Sequence, residues 1–183
     1  KNGRQAVKIT LQNTRGASLS LTDYGATAVS LIVPDRSGSP IDVLLGYENV
    51  TSYETNGGYL GATIGRVGNR IAKAAFSLNG ANYSLDANDG QQCLHGGFYG
   101  YDRRFWDYTL DEKANRVTFS LVSSHLDQGF PGQVMITVSY TLTEDHALHI
   151  RYCAVPDQDT PISMTNHSYF NLNGHDSGSC LDH

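Results

Sequence analysis

Short runs of alternating apolar and polar residues, punctuated by turn formers, recur along this chain and leave it few folds to choose from. In Gln5–Leu11, Val7, Ile9 and Leu11 share one face, while Ala6, Lys8 and Thr10 share the other. That is the period of a half-buried strand. Ser18–Leu21 continues the pattern, and Thr27–Val33 is a second β-rich run closed by Pro34. Ile41–Leu45 reads as a short buried strand. Phe76–Leu78 and Tyr83–Leu85 flank Asn79-Gly80, a hairpin signal. Phe105–Leu110, Val117–Val122, Val134–Leu142 and Leu148–Val155 all alternate. Helical spacing is confined to Tyr47, Val50 and Tyr53, enough for one turn. The chain is therefore expected to be all-β, a sandwich or barrel without internal repeat or linker.

Composition agrees and removes several function classes. The 183 residues include 19 glycines and 11 tyrosines, and only 17% are charged. The net charge of −5 argues against nucleic acid or an acidic membrane surface as partner. The apolar runs are a few residues long, too short for a membrane span. Cys93, Cys153 and Cys180 are widely spaced and form no disulfide framework, so a reducing, cytoplasmic location is expected. There is no G-x-S-x-G, no G-x-x-x-x-G-K-[ST] and no H-E-x-x-H. His146 and His149 lie at odd spacing beside or within a strand, which separates them rather than building a metal site. They read as exposed, as do His125, His175 and His183.

The chemistry concentrates in three blocks. Thr165–Leu172 packs His167, two asparagines, Ser168 and Tyr169 around Phe170 and Leu172. So dense a polar set in an apolar frame needs local partners, or else forms a site with a proton-transferring histidine. In Gly65–Ile71, Asn69 offers a donor and an acceptor, and Arg70 a planar fork, which suits adjacent sugar hydroxyls. In Gly90–Gly97, His95 precedes two glycines that allow a close approach of backbone or ligand. Tyr99, Tyr101 and Trp106 are candidates for a sugar platform, although Trp106, within a strand, fits core packing better.

These blocks carry a resemblance. Gly65-Arg66-Val67-Gly68-Asn69-Arg70-Ile71 resembles the G-R-x-x-N-R-I signature of the aldose 1-epimerase (galactose mutarotase) family. Gly90–Gly97 is similar to its N-x-L-H-G-G segment, with Gln92 where asparagine is common. Gly129-Phe130-Pro131-Gly132 resembles its G-[YF]-P-G loop, and Asn166–Leu172 its N-H-[ST]-Y-F-N-L segment. The four blocks stand in family order, which makes the set specific where each alone is weak.

The resemblance implies a large β-sandwich of the galactose mutarotase-like type. It also implies an isomerase that exchanges the α and β anomers of hexoses such as galactose and glucose, with no metal or organic cofactor. On this reading His167 is the general acid toward the ring oxygen, and His95 stabilises charge near the reacting centre. Asn69 and Arg70 bind hydroxyls, and Ser168 and Tyr169 line the pocket. The family's general base is a glutamate, and it grips hydroxyls with an aspartate, both from the C-terminal part of the fold. Neither is found in these residues. Residues 1–183 are thus expected to be the N-terminal portion of one sandwich domain, a truncated chain whose C-terminal half is missing. A hexose-phosphate epimerase-like relative would use extra cations such as Arg66, Arg103 and Arg104. A non-catalytic carbohydrate-binding sandwich would keep Asn69, Arg70 and aromatics but not two histidines on separate segments. The working expectation is one cleft with the imidazoles of His95 and His167 within about 10 Å, the reach of a single sugar.

Overall fold

A computed structural model describes residues 3–183. Strand β1 (Lys8–Gln12), β2 (Ser18–Thr22), β3 (Thr27–Pro34) and β4 (Pro40–Asp42) form one antiparallel sheet in sequence order. A second antiparallel sheet is built the same way from β10 (Asp107–Asp111), β11 (Arg116–Ser123), β12 (Val134–Leu142) and β13 (Leu148–Pro156). Between them in the chain lie β5 (Thr63–Ile64), β6 (Arg70–Ile71), β7 (Ala75–Leu78), β8 (Ala81–Ser84) and β9 (Cys93–Leu94); β14 (Thr165–Asn166) follows. These make three two-stranded pairs, β5 with β14, β6 with β9 and β7 with β8.

The alternation seen in the sequence produces the core. Ile9, Leu11, Leu19, Leu21, Ala28 and Leu31 of the first sheet meet Val117, Phe119, Ile136, Val138 and Tyr140 of the second. Ala28 and Leu31 are three residues apart, which strict alternation would place on opposite faces. A bulge resolves this: Leu21 pairs with Ala28 and Ser20 with Ser30, leaving Val29 unpaired. Both Ala28 and Leu31 then reach the core. Trp106, just before β10, has no exposed surface and donates its indole N–H to the Tyr101 carbonyl at 3.1 Å. This is the core role expected for it.

Asn79 and Gly80 form the two-residue turn between β7 and β8, both with positive φ (52° and 79°). That is the geometry an Asn-Gly hairpin turn requires. Some boundaries differ from expectation. The one helical segment near Tyr47–Tyr53 is a 3-10 turn at Val50–Thr55. Tyr47 precedes it and packs its ring edge-on to Tyr53 at 5.1 Å. Strand β4 stops at Asp42, and Leu44 makes a single bridge to Phe170 instead. Phe105 likewise bridges Tyr24 before β10 begins. In each case the chain leaves its sheet to meet a distant segment, a tertiary effect that local pattern does not carry.

One buried cation joins the parts. Arg66, 2% exposed, donates to the carbonyls of Pro131, Gly132 and Ser124 and to the hydroxyls of Ser123 and Thr160, at 2.6–3.2 Å. The Ser123 hydroxyl in turn donates a hydrogen bond to Asp127, which is forked by Arg104. The nearest carboxylate is therefore one hydroxyl away, and the guanidinium lies against the Phe130 ring at 5.6 Å. Arg66→Met would leave several buried acceptors unpaired. It should lower unfolding free energy by about 3 kcal/mol or more, measured by urea denaturation.

Candidate functional site

Two of the small ladders put the site residues where they are. Arg70 pairs with Leu94 and Ile71 with Cys93, so Asn69 and His95 stand opposite each other at the end of the β6–β9 ladder. Both have left-handed backbones, φ 62° and 53°. The His95 N–H donates to the Asn69 carbonyl at 3.0 Å, and the Asn69 N–H donates to His95 Nδ1 at 2.9 Å. An amide N–H can only donate, so Nδ1 is an acceptor and the ring's proton sits on Nε2 in the neutral form. Asn88 fastens the preceding residue, its side chain accepting from Leu94 N and donating to Leu94 O. Gly96 then turns with φ 89°, and a Cβ there would lie 2.1 Å from the Gly65 carbonyl oxygen. The close approach inferred from the glycine pair is thus between two backbone segments.

The second ladder carries His167. Asn166 pairs with Thr63 and Thr165 with Ile64. His167 is then held on both sides of its peptide: its N–H donates to Ala62 O at 2.9 Å, and its carbonyl accepts from Gly61 N at 3.1 Å. The chain runs on along Val43–Leu45, where Leu45 N meets Tyr169 O and Asn171 N meets Val43 O. Asn166 points inward. Its amide donates to Gly61 O and to the Tyr140 hydroxyl, which itself reaches Ala26 O and Thr63 Oγ1. Burial pushes Tyr140 up to about 12, so this hydroxyl stays protonated. Asn166 is therefore an anchor between the site segment and the sandwich core.

The rings of His95 and His167 lie 5.1 Å apart and nearly perpendicular. They face an open cleft of about 470 Å³ lined also by Asn69, Ser168, Tyr169, Asn166 and Thr165, a size suited to one small ligand. Of the expected site residues, Asn69, His95, His167, Ser168 and Tyr169 are brought together there. Arg70 is not part of that lining. Its side chain is exposed, and its Nε donates to Asp89 at 2.6 Å. No carboxylate lines the cleft among the described residues.

Several other candidates are elsewhere. Tyr101 is 2% exposed and packs edge-on to Trp106, so it offers no surface to a sugar. Arg66 is spent inside the protein, Arg104 is forked to Asp127, and Arg103 is paired with Asp102. These arginines are not a phosphate site. Asp127 is shielded by burial, but the hydrogen bonds from Arg104 and Ser123 outweigh that and hold its carboxyl below the usual range. His146 is half-buried rather than exposed, because Asn13 Nδ2 meets its Nδ1 at 3.1 Å. His149, His125, His175 and His183 are exposed. One residue escaped the sequence reading. The Tyr59 ring lies 4.6 Å from His95 and 5.6 Å from His167. The preceding Gly57-Gly58 marks a loop, but nothing in the sequence says which way that ring turns.

Burial, then the neighbouring His167 and Arg70, lower His95 from its ordinary value to about 4. Its neutral form, with the proton on Nε2, therefore holds through the neutral range. The unfolded chain would hold a proton on this histidine below about 6.5. Between the two values the unfolded state binds more protons, so stability falls as pH drops through that window. His95→Gln should remove this contribution. Its urea midpoint should decline less steeply than the parent's between pH ~6.5 and ~4.

Comparison with known proteins places this geometry. The sequence profile of the aldose 1-epimerase family matches residues 7–183. The chain is 46% identical over 171 residues to a Haemophilus influenzae protein named aldose 1-epimerase, covering 93% of this chain and 49% of that one. It is 42% identical over 165 residues to the protein named galactose mutarotase of Bos taurus, covering 90% and 47%. Among solved structures, a GalM/aldose epimerase homologue from C. elegans superposes with a TM-score of 0.88 at 33% identity, over 93% of this chain and 52% of that one. A galactose 1-epimerase from Lactobacillus acidophilus gives 0.84 at 29% identity, over 94% and 51%. The chain spans about half the length of the curated relatives it matches. With the family profile covering nearly all of its residues, and the fold shared along the same length, the chain belongs to the aldose 1-epimerase family.

Proposed function

We propose that the protein interconverts the α and β anomers of hexoses such as galactose and glucose, with His167 and His95 at the reacting centre. The observation that carries this reading is the pair of imidazoles 5.1 Å apart over an open cleft with amide and hydroxyl groups around it. Anomer exchange needs an acid to protonate the ring oxygen and a base to take the proton from the C1 hydroxyl. The ring opens to the aldehyde, the C1–C2 bond rotates, and the ring closes on the other face. His167 serves as the acid. His95 is the neutral partner, giving its Nε2–H to oxygen where charge develops. The Asn69 contact at Nδ1 fixes that tautomer. Asn69, Ser168 and Tyr169 supply polar contacts for hydroxyls. Arg70, steadied by Asp89, adds further donors from beside the cleft.

The base is assigned to a carboxylate outside residues 1–183. Asp127 and Asp89 are engaged by Arg104 and Arg70, and Asp176 is exposed in the terminal loop. Residues 1–183 accordingly form the N-terminal portion of one larger sandwich domain. Two observations support this: the half-length match to relatives, and the core-facing row Leu148, Ile150, Tyr152 and Ala154 of β13, only partly buried at the edge of its sheet. Further strands would cover that row. The partner is then a neutral hexose; among the described residues no lysine or arginine lines the cleft. As to location, no helix among the described residues is long and apolar enough to cross a membrane. We assign the protein to the cytoplasm, which its three free cysteines fit.

Polarimetry on freshly dissolved α-D-galactose or α-D-glucose tests the reading. In the complete protein, His167→Ala should lower kcat by ~10² or more with a modest change in KM. Arg70→Ala should weaken binding and turnover together. A His167 variant with parental kcat would remove it from the acid role. Residues 1–183 assayed alone should turn over poorly and associate in solution, checked by polarimetry beside the complete protein and by size-exclusion chromatography.

A further inference from the structure

We propose that Tyr59 is a positioning residue of this site, its ring packed against both imidazoles so that His95 and His167 keep their perpendicular relation and His95 stays shielded from water. The inference rests on the functional reading above.

Three observations carry it. First, Tyr59 is the aromatic ring that touches both histidines, edge-on to His95 at 4.6 Å and tilted to His167 at 5.6 Å. It is not among the residues lining the cleft, so it acts through the histidines rather than on a ligand. Second, its backbone is left-handed, with φ 56°. A bulky residue with this φ is an outlier, and such strain persists only where the surroundings impose it. Asparagine or glycine would be the relaxed choice, so the backbone conformation does not account for a tyrosine here. Third, the loop that imposes the conformation also holds His167. Buried Asn56 spans it, its side chain accepting from Leu60 N and donating to Leu60 O. Tyr59 N donates to Asn56 O, and Ala62 N donates to Tyr59 O. Gly61 and Ala62 are the residues that clamp the His167 peptide. One short loop therefore sets the backbone of one histidine and presents a ring to both.

The electrostatic surroundings fit a passive ring. Burial, with Asp102 and Asp89 opposed by Arg103 and Arg70, raises the Tyr59 hydroxyl, so it remains protonated and is no base at neutral pH. Around His95 the charged or titratable neighbours are His167, Arg70 and Tyr59 itself, with burial the largest influence on its titration. Removing the ring reduces that burial, which moves His95 toward its free value.

The test uses Tyr59→Asn in the complete protein, with Tyr59→Phe as the conservative control and Tyr59→Gly if the asparagine variant does not fold. Asparagine and glycine both accept the left-handed backbone, so folding is expected to survive, checked by circular dichroism melting. Histidine ring NMR should show the His95 midpoint near 4 in the parent and phenylalanine variant. In Tyr59→Asn it should move toward about 6.5. Polarimetry should show kcat reduced ~10-fold or more with little change in KM, and restored by phenylalanine. Either an unmoved His95 midpoint or an unmoved kcat in Tyr59→Asn overturns the proposal. If the parent protein itself turns over no sugar, the functional reading falls, and the NMR midpoint alone then judges Tyr59.

Discussion

The site depends on a guanidinium that never touches it. Arg66 is buried, and a buried cation is costly unless most of its donors find partners; here both terminal nitrogens do, while Nε has none. The bonds of its Nη1 and Nη2 draw together the turn holding Pro131 and Gly132, Ser123 at the end of β11 with Ser124 just after it, and Thr160. Its backbone does the rest. Ser163 N donates to Arg66 O, and Gly68 N donates to Ser163 O, so the strand leading into His167 is laid beside the strand leading to Asn69. Two sequence blocks read separately, the Gly-Arg and the Gly-Phe-Pro-Gly, are thus two halves of one contact. The same contact explains why Arg66 cannot also be a phosphate ligand.

From that frame the chemistry follows by small steps. The β6–β9 ladder ends in two left-handed residues, and their reciprocal hydrogen bonds hold the His95 ring by its Nδ1. Partial burial keeps it neutral. His167 arrives on a different ladder whose register is tied to the core through Asn166 and Tyr140. The core and the site therefore share a polar network: the Tyr140 hydroxyl closes it from the second sheet, and Ala26 and Thr63 close it from the segments before the cleft. A shift of the sheets against each other would be felt at His167 through these bonds.

Much was legible in the sequence because it is written in local periodicity and short motifs. Alternation gave β2, β11, β12 and β13 nearly residue for residue, and Asn79-Gly80 marked its hairpin. His95 and His167 were identifiable because histidines embedded in polar-apolar blocks and glycine pairs are unusual locally. What local reading missed were contacts between distant segments. Trp106 reads as a core residue from its strand position, but Tyr101 reads equally well as a surface ring. Tyr101 is inside because it packs edge-on to Trp106 within the shared core. His146 reads as exposed in the sequence, since its partner Asn13 is over a hundred residues away in the chain.

The sequence by itself determined the all-β class, the pattern of inward and outward residues, and the short polar blocks that end up around the cleft, since these depend on neighbours one to four positions away. Only the tertiary structure decided that Arg66 is an internal strut while Arg70 stays exposed and paired with Asp89, although both sit in one heptapeptide. It alone decided that the two imidazoles meet at a right angle, and that Tyr59 stands against both. The physical reason is that a side chain's role depends on what desolvates it and what it bonds to. For these residues the partners lie dozens of positions away and are supplied by the packing of the sheets.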